Sequence, residues 1–598
     1  MTPNREHRWR WELGIVVLVS LPFVFFGIGS IGFLDPDEGM YGSIAREMVE
    51  KGDWVTPHFN SVRYLEKPPL QFWLSALTIA VFGLSEWAVR IWSALPMLGT
   101  AILVWLLGRM LYGGRAGLFS AIVMISSVGV FRYVRVAATD SLLVFSLTLS
   151  LYGFIRAMLS DERGEEFGQE EKVDRPQGSE PTNFFLGFQL PLILFYLGMS
   201  LALLSKGLIG VVFPVFIVGL FLLLSGEPSH GDGRWSISGR ISNIFKSVWS
   251  PIGFFIFFVL TLPWHLLAAW SNKGFIQFYL LDNQFLRFLN SRSFIEDDVP
   301  VGTFVFLIML LVWFFPWSIF IPGAIKEGFP GSRTRNESPT ANLRSIVGIW
   351  FVTILAFFSL SGSKLEHYFL PLIPPLSLMV GSLWSKALSS SDNDHLCVES
   401  APIRRRMMWC LGSGTLCCFS IGLGLIIYSA YLTPESVMNG LAELNVYYRI
   451  LQAKGIALPF ASISPFIFLV KSLGLALFVG TLLSFSLFYL RLPKASFLSV
   501  LCLAGVIGAL VVKLLLFIET HHSAKFVSEA IGSQLGSGDV IIHEGSLEYS
   551  AGLPFYTGQK IFVLNGKRGD LDFGSSYPES RHLFLDDRKF IRLWEGDQ

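Results

Sequence analysis

The sequence predicts a mainly α-helical protein that crosses a membrane about thirteen times and ends in a small α/β domain. Three observations lead there. Of the 598 residues, 52% are hydrophobic and only 15% charged, with a mean hydropathy of +0.54, which is too apolar for a water-soluble chain and too long for a single anchor. Apolar runs of roughly twenty residues, the length that spans about 30 Å of hydrocarbon, recur as far as residue 518. Beyond it the pattern changes: Ala524 to Leu535 has helical periodicity, Val540 to His543 and Ile561 to Leu564 read as strands, and Gly and Asp punctuate the rest.

The runs fall near 13–33, 87–111, 115–131, 140–159, 184–204, 207–225, 249–270, 301–323, 345–361, 368–387, 408–429, 465–490 and 495–518. The first follows a basic start, Arg5 to Arg10, but lacks a small-residue cleavage site, so it reads as a retained helix and not a signal peptide. Leu70 to Leu84 is apolar but short and reads as interfacial or re-entrant; were it to span, every later assignment would invert. With thirteen spans, Lys and Arg fall more often in cytoplasmic segments, the Arg404-Arg405-Arg406 cluster among them, and 519–598 lies outside. The polar connectors 160–183, 225–246, 326–344 and 388–406 then face the cytoplasm. The chain divides into a membrane domain, 1–518, whose first outer loop is 34–86, and an outer domain, 519–598. A net charge of +1 gives no electrostatic case for a nucleic-acid partner. Of the five cysteines, Cys397 lies in a polar loop and Cys410, Cys417, Cys418 and Cys502 in apolar runs, a pattern that suggests neither a disulfide framework nor a zinc site.

Leu34 to Pro69, LDPDEGMYGSIAREMVEKGDWVTPHFNSVRYLEKPP, is where chemistry is expected. Asp35, Asp37 and Glu38 crowd the end of a membrane helix, where repulsion and desolvation should raise at least one pKa or demand a cation. Gly39 to Glu50 reads as an amphipathic helix along the membrane surface, with Met40, Ile44, Met48 and Val49 on one side and Ser43, Arg46, Glu47 and Glu50 on the other. Pro68 and Pro69 fix the backbone behind Glu66 and Lys67 and aim that anion and cation together. Further charges gather at the same outer face: Arg132, Arg135, Asp140, Lys206, Asp282, Arg287, Lys364, Glu366 and His367. Bland readings exist for several, since Asp140 could cap a helix and Lys206, Arg132 and Arg135 could snorkel to the interface.

Within that stretch the order Asp37-Glu38 with Tyr41, Ala45 to Met48, Gly52 to Trp54, Pro57, Asn60 and Arg63 to Pro68 resembles glycosyltransferase family 83. Its relatives are aminoarabinose lipid A transferase and the dolichyl-phosphate-mannose protein mannosyltransferases. Met40 departs from the pattern, standing where the family commonly has Arg. The likeness continues through Asp140, the Lys206-Gly207 end of a helix, Phe278 to Leu289, the run from Lys364 through Tyr368 to the following prolines, and Leu553 to Gly558.

What the resemblance implies is a GT-C membrane fold in a bacterial inner membrane, with an active site facing the periplasm. The activity would be transfer of a sugar from a polyprenyl-phosphate donor to a lipid, glycan or protein acceptor, with inversion. It assigns Asp37, Glu38 and Asp140 to catalysis, and Tyr41, Arg63, Tyr64, Lys67, Arg132, Arg135, Lys206, Arg287, Lys364 and Tyr368 to substrate binding, with one of Arg132 and Arg135 reaching a ligand phosphate. Glu66 would be the metal ligand, but Asn283 stands where the family has His, and Asn is a poor partner for zinc. No cofactor is required beyond an open place for a divalent cation. The competing class is a transporter or flippase of a lipid-linked substrate, which would cluster its polar residues at the bilayer midplane instead of the outer rim.

Overall fold

The computed structural model describes residues 3–170, 182–225, 245–286, 302–329, 339–362, 364–392, 400–444, 446–456, 462–536, 538–566 and 569–596. Among these residues nine helices are long and apolar enough to cross a membrane, and a tenth span is possible if a pair bent by 106°, Thr303–Trp313 and Trp317–Gly328, counts as one. The remaining runs fall short for visible reasons. α1 (Pro3–Phe25) stops well before residue 33, 115–131 is broken after Ile125, and 207–225 yields a helix of 17 residues, Ile209–Ser225. Runs of apolar residues mark what lies in lipid; they do not mark where a helix ends.

At and just beyond the end of α1, two arginines take up carbonyls that no longer have helical partners. Arg135 donates to the carbonyls of Phe23 and Phe26, and Arg90 to those of Ile28, Ile31 and Gly32, the arrangement that cations favour at a helix C-terminus. The chain then runs through α2 (Asp37–Lys51), a two-stranded hairpin of β1 (His58–Phe59) and β2 (Val62–Arg63), and α3 (Leu70–Phe82) before α4 (Glu86–Tyr112) enters the bundle. α3 has 13 residues, about 20 Å of helix, too short to cross about 30 Å of hydrocarbon. α2 starts with Asp37 and Glu38 at the positive end of its dipole and closes on Gly52, in the left-handed conformation at φ 68°.

The bundle core is aromatic, with Trp317, Trp350 and Trp384 fully buried and Trp384 packed edge-on against Phe320 and Phe497. One contact in the bundle bears directly on the outer face. Helices Thr139–Glu170 and Thr182–Lys206 run antiparallel and approach so closely that a Cβ on Gly198 would lie 2.5 Å from the Ser146 carbonyl oxygen. That approach brings the first turn of one helix, with Asp140, beside the last residue of the other, Lys206.

After the last span, Pro493–His522, the chain forms a three-stranded parallel sheet in the order β3 (Ile541–Glu544), β4 (Ile561–Leu564), β5 (Phe584–Leu585), flanked by short helices. This unit does not stand apart from the first outer loop. Asn60 exchanges two hydrogen bonds with the backbone of Ile561, Ser43 donates to the Ala551 carbonyl, Arg46 donates to that of Phe555, and Phe33 packs on Phe555 at 4.7 Å. A Cβ on Gly39 would lie 2.3 Å from the Gly552 nitrogen. α2 is therefore sandwiched between membrane helices and the sheet domain. The expected amphipathic helix thus carries the sheet domain on its other side, which explains why Ser43, on its polar side, is buried.

Candidate active site

Glu38 and Asp37 are neighbours in sequence with opposite surroundings. Glu38 is fully buried; both its oxygens take the Arg90 guanidinium at 2.8 Å, and the backbone N–H groups of Leu34 and Ala137 complete the set at 3.0 and 2.7 Å. A carboxylate so enclosed ties the first loop to α4 and to the segment before Asp140, and it has no access to a substrate. Asp35, likewise turned inward, accepts from the Gly552 N–H at 2.8 Å, and burial raises its pKa well above the usual carboxylate value. Asp37 is half-buried at the start of α2.

Around Asp37 stand two tyrosines. Tyr41 and Tyr64 both pack edge-on against Phe72, at 5.5 and 6.0 Å. Burial, then Glu66, Tyr41, Asp570 and Asp37, hold the Tyr64 hydroxyl well above its ordinary pKa, so these groups share one pocket of negative potential. Asp570 comes from the sheet domain, on a turn whose N–H is fixed by Glu548 at 2.7 Å.

Next to it lies the cationic part. Lys67 pairs with Glu66 at 2.8 Å, and its charge also acts on Asp140 and His367. Asp140 pairs with Lys206 and lies 3.9 Å from His367 Nε2, while Lys206 sits 5.3 Å above the Tyr368 ring. Tyr368 is stacked on Phe358 at 4.7 Å. Arg132 pairs with Glu366 at 2.9 Å between the rings of Tyr133 and Trp313, and Lys364 donates to the Ser361 carbonyl instead of a carboxylate. The structure thus brings together Asp37, Tyr41, Tyr64, Glu66, Lys67, Asp140, Lys206 and Tyr368, with Arg132 one residue further round through Glu366 and His367.

Besides Lys364, which turns to the Ser361 carbonyl, three expected residues do not join this group. Arg63 clasps Glu579 at 2.7 Å, the Ser271 carbonyl and Asn272, and stacks on Tyr577, so it fastens the sheet domain to the helix Pro251–Ser271. Arg135 is 2% exposed and spends its guanidinium on carbonyls and the Phe131 ring. Of the two arginines expected to compete for a phosphate, Arg132 is the more open. Glu38 is the third, replaced in any solvent-facing role by Asp37. Arg287 lies outside the described residues. Arg90 was missed by the sequence reading, although a lone Arg near the start of an apolar span already called for a carboxylate partner.

A metal fits poorly. The Glu66 carboxylate is held by Lys67, and the Asn283 side chain turns its amide N–H toward the Glu66 carbonyl, 3.5 Å away, offering a donor where a ligand would be needed. Among the described residues no group of three or more His, Cys, Asp or Glu side chains could hold a metal ion.

One end of the helical bundle thus gathers paired cations and a carboxylate-tyrosine pocket, covered by the α/β domain. Compared with known proteins, the chain superposes on the crystal structure of ArnT from Cupriavidus metallidurans in the apo state with a TM-score of 0.70, covering 99% of this chain and 92% of that one at 22% identity. The same protein bound to undecaprenyl phosphate gives a TM-score of 0.68, 97% and 90% coverage and 22% identity. Residues 66–167 match the family model described as dolichyl-phosphate-mannose-protein mannosyltransferase. In sequence the chain is 28% identical over 373 residues to undecaprenyl phosphate-alpha-4-amino-4-deoxy-L-arabinose arabinosyl transferase 2 of Pseudomonas fluorescens, a match covering 62% of this chain and 59% of that relative. The resemblance to glycosyltransferase family 83 and the GT-C fold are borne out; the sequence match spans less than two thirds of the relative's own length.

Proposed function

We propose that this protein is a membrane glycosyltransferase of the inner membrane that moves a sugar from a polyprenyl-phosphate donor to a lipid, glycan or protein acceptor at the outer face. The observation that carries this reading is the placement of Lys67 and Lys206 around Asp140 and His367, with Asp37 and two buried tyrosines adjacent. A lipid-linked donor keeps its tails in the bilayer and its phosphate at the rim. The departing phosphate therefore needs cations at the rim, and the sugar needs a carboxylate beside it.

Lys67 and Lys206, with Lys364 and Arg132 assisting, neutralise the polyprenyl phosphate as it leaves. Asp37 faces the acceptor. With a hydroxyl acceptor it takes the proton as general base; with an ionised phosphate it orients the acceptor or stabilises positive charge developing on the sugar. Direct displacement inverts the anomeric centre. Asp140 holds Lys206 in place, and Glu38 fixes the start of α2 through Arg90, so these two position groups without touching the sugar. A transporter would be expected to keep its polar residues at midplane, whereas Asp140, Lys206 and His367 all occupy helix ends.

The relatives' names make undecaprenyl phosphate-α-4-amino-4-deoxy-L-arabinose the first donor to try. The test is turnover of that donor by purified protein with a lipid A acceptor, followed by release of undecaprenyl phosphate. Transfer supports the reading; binding of the donor without transfer, combined with its passage across proteoliposomes, would replace it by the transporter.

A further inference from the structure

The sheet domain meets the pocket through a short strap made of the turn Gly569–Leu571 and the single helical turn Asp572–Ser575. On one side the strap lies against the hairpin: a Cβ on Gly574 would run into the Arg63 carbonyl oxygen and lie 2.8 Å from Val62 Cγ1, so only glycine lets the two backbones meet. On the other side Phe573 stacks on Phe278 at 4.2 Å, and Phe278 belongs to the segment Gln277–Leu286, whose Asn283 faces the Glu66 carbonyl. The strap therefore reaches from the residue before Tyr64 to the segment beside Glu66, along one edge of the pocket.

A single side chain shapes its start. Glu548, 2% exposed, accepts from the Asp570 N–H at 2.7 Å, from the Leu571 N–H, and from the Ser546 hydroxyl at 2.9 Å. Gly569 sits at φ 41°, and a Cβ there would collide with the Glu548 carboxylate. The short helix that carries Glu548, Leu547–Ser550, lies beside α2, which begins at Asp37. Asp570 is half-buried, and its charge acts on Tyr64 together with those of Glu66 and Asp37. A turn that only closed the domain could be held by a hydroxyl, without the cost of desolvating a carboxyl group. Setting Asp570 among like charges costs stability as well, and a ligand rich in O–H and N–H donors, such as a sugar, relieves both.

We infer that Asp570 is a further donor-binding residue, its carboxylate accepting hydrogen bonds from the sugar, and that Glu548 is the positioning residue that aims it by holding the turn Gly569–Leu571. This rests on the polyprenyl-phosphate reading above and divides the donor between two parts of the molecule. Lys67 and Lys206 hold the phosphate, and the sheet domain holds part of the sugar.

Equilibrium binding to the full chain tests this with two probes, undecaprenyl phosphate and the same lipid phosphate carrying 4-amino-4-deoxy-L-arabinose, with the transfer rate measured alongside. Asp570→Asn should bind the sugar-bearing lipid roughly tenfold more weakly and the bare lipid phosphate as well as before. Glu548→Leu should do the same, whereas Glu548→Gln, which keeps a carbonyl oxygen for the turn, should retain most of the affinity. The double variant Glu548→Leu/Asp570→Asn should be no weaker than either single one, because the two residues act as a unit. Asp586→Ala removes a helix cap elsewhere in the same domain, where the side chain accepts from the Lys589 N–H at 2.8 Å, and should leave both affinities unchanged. Equal losses for the two probes, or additive losses in the double variant, would make Glu548 and Asp570 structural and overturn the inference. Unchanged affinity in Asp570→Asn overturns it too. A sugar-selective loss in a protein that binds the donor but transfers nothing upholds the sugar contact and sinks the transferase reading instead.

Discussion

Two buried carboxylates sit at opposite ends of the bundle, each beside a lysine: Asp140 at the end covered by the sheet domain, outer under the proposed topology, and Glu327 at the other, inner end. The inner one closes a latch: Glu327 accepts from Ser382 and Lys386 at 3.0 and 2.5 Å, lies 3.7 Å from Arg406, and gives its carbonyl to Tyr112. The side chains of Lys386 and Arg406 remain 46% and 35% exposed, so they bridge helices while keeping much of their hydration. At the outer end the side chains of Lys67 and Lys206 are only 19% and 14% exposed. Burying a cation that far costs several kcal/mol that pairing only partly offsets, and a latch gains nothing by it. The difference separates a pair that joins helices while staying hydrated from a cluster whose paired charges are far more deeply desolvated, which is what the proposed function would require.

The comparison is sharpened most by Asp37, half-buried at the start of α2 beside the outer cluster. Asp37→Asn keeps size and hydrogen bonding, so turnover should fall by orders of magnitude while donor affinity changes little. Lys67→Ala should weaken both, since it removes a charge-assisted partner worth roughly 1.5 to 3 kcal/mol. Donor affinity and single-turnover rate, measured on both variants, separate the two roles. Near-normal transfer by Asp37→Asn would remove it from the mechanism.

The two lysines can be compared directly. Lys206→Met and Lys386→Met each leave a buried carboxylate without its main partner, at about 3 to 5 kcal/mol where the burial is complete. Adding Asp140→Asn to the first and Glu327→Gln to the second should restore thermal stability in both. Only the inner double variant should also recover full turnover. If the outer one does too, the outer pair is as structural as the inner.

How far this was legible in the sequence depends on whether a residue's partner is near in the chain. The bundle was readable from runs of apolar residues, and the Glu66-Lys67 pair from the prolines behind it. Asp140 and Lys206 were visible as costly charges at helix ends, although their pairing rests on the Gly198 contact between two helices. Arg63 and Arg135 could not be sorted from Arg132 in this way. Their partners, Glu579 and the carbonyls of Phe23 and Phe26, are far off in the sequence, and a guanidinium in a loop looks the same whether it meets a phosphate or a carbonyl. Glu38 was misread because its neighbour Asp37 is the accessible one, and only the fold shows which way each points.

A smaller effect should come from the sheet domain. Burial lifts the Glu548 carboxyl from its ordinary 4.5 to about 7, despite the Ser546 hydroxyl and backbone donors that favour the charged form. The folded state then binds this proton more tightly than the unfolded one. Its contribution to stability is complete below pH 4.5, declines as pH rises toward 7, and is gone above it. Exchange of the β3 and β4 amides should therefore quicken between pH 5 and 8 beyond the intrinsic base dependence, and Glu548→Gln should flatten that excess. A rise in protection over the same range would mean that Glu548 is held as a carboxylate.

The smallest expected effect is that of a chelator. Zinc needs three or four nitrogen, sulfur or carboxylate donors at about 2.0 to 2.3 Å. Here the nearest candidates are one carboxylate already facing an ammonium at 2.8 Å and a carboxamide that presents its N–H. Asn283→His would supply an imidazole in the place where the resemblance to glycosyltransferase family 83 implies one. The wild-type protein should keep its transfer rate in EDTA, and Asn283→His, which still leaves Glu66 and one imidazole short of three donors, should take up zinc only substoichiometrically by metal analysis. If the wild type is silenced by EDTA and zinc alone revives it, then Glu66 leaves Lys67 to bind metal in the working enzyme, and the cationic cluster must be counted one lysine richer than its resting geometry suggests.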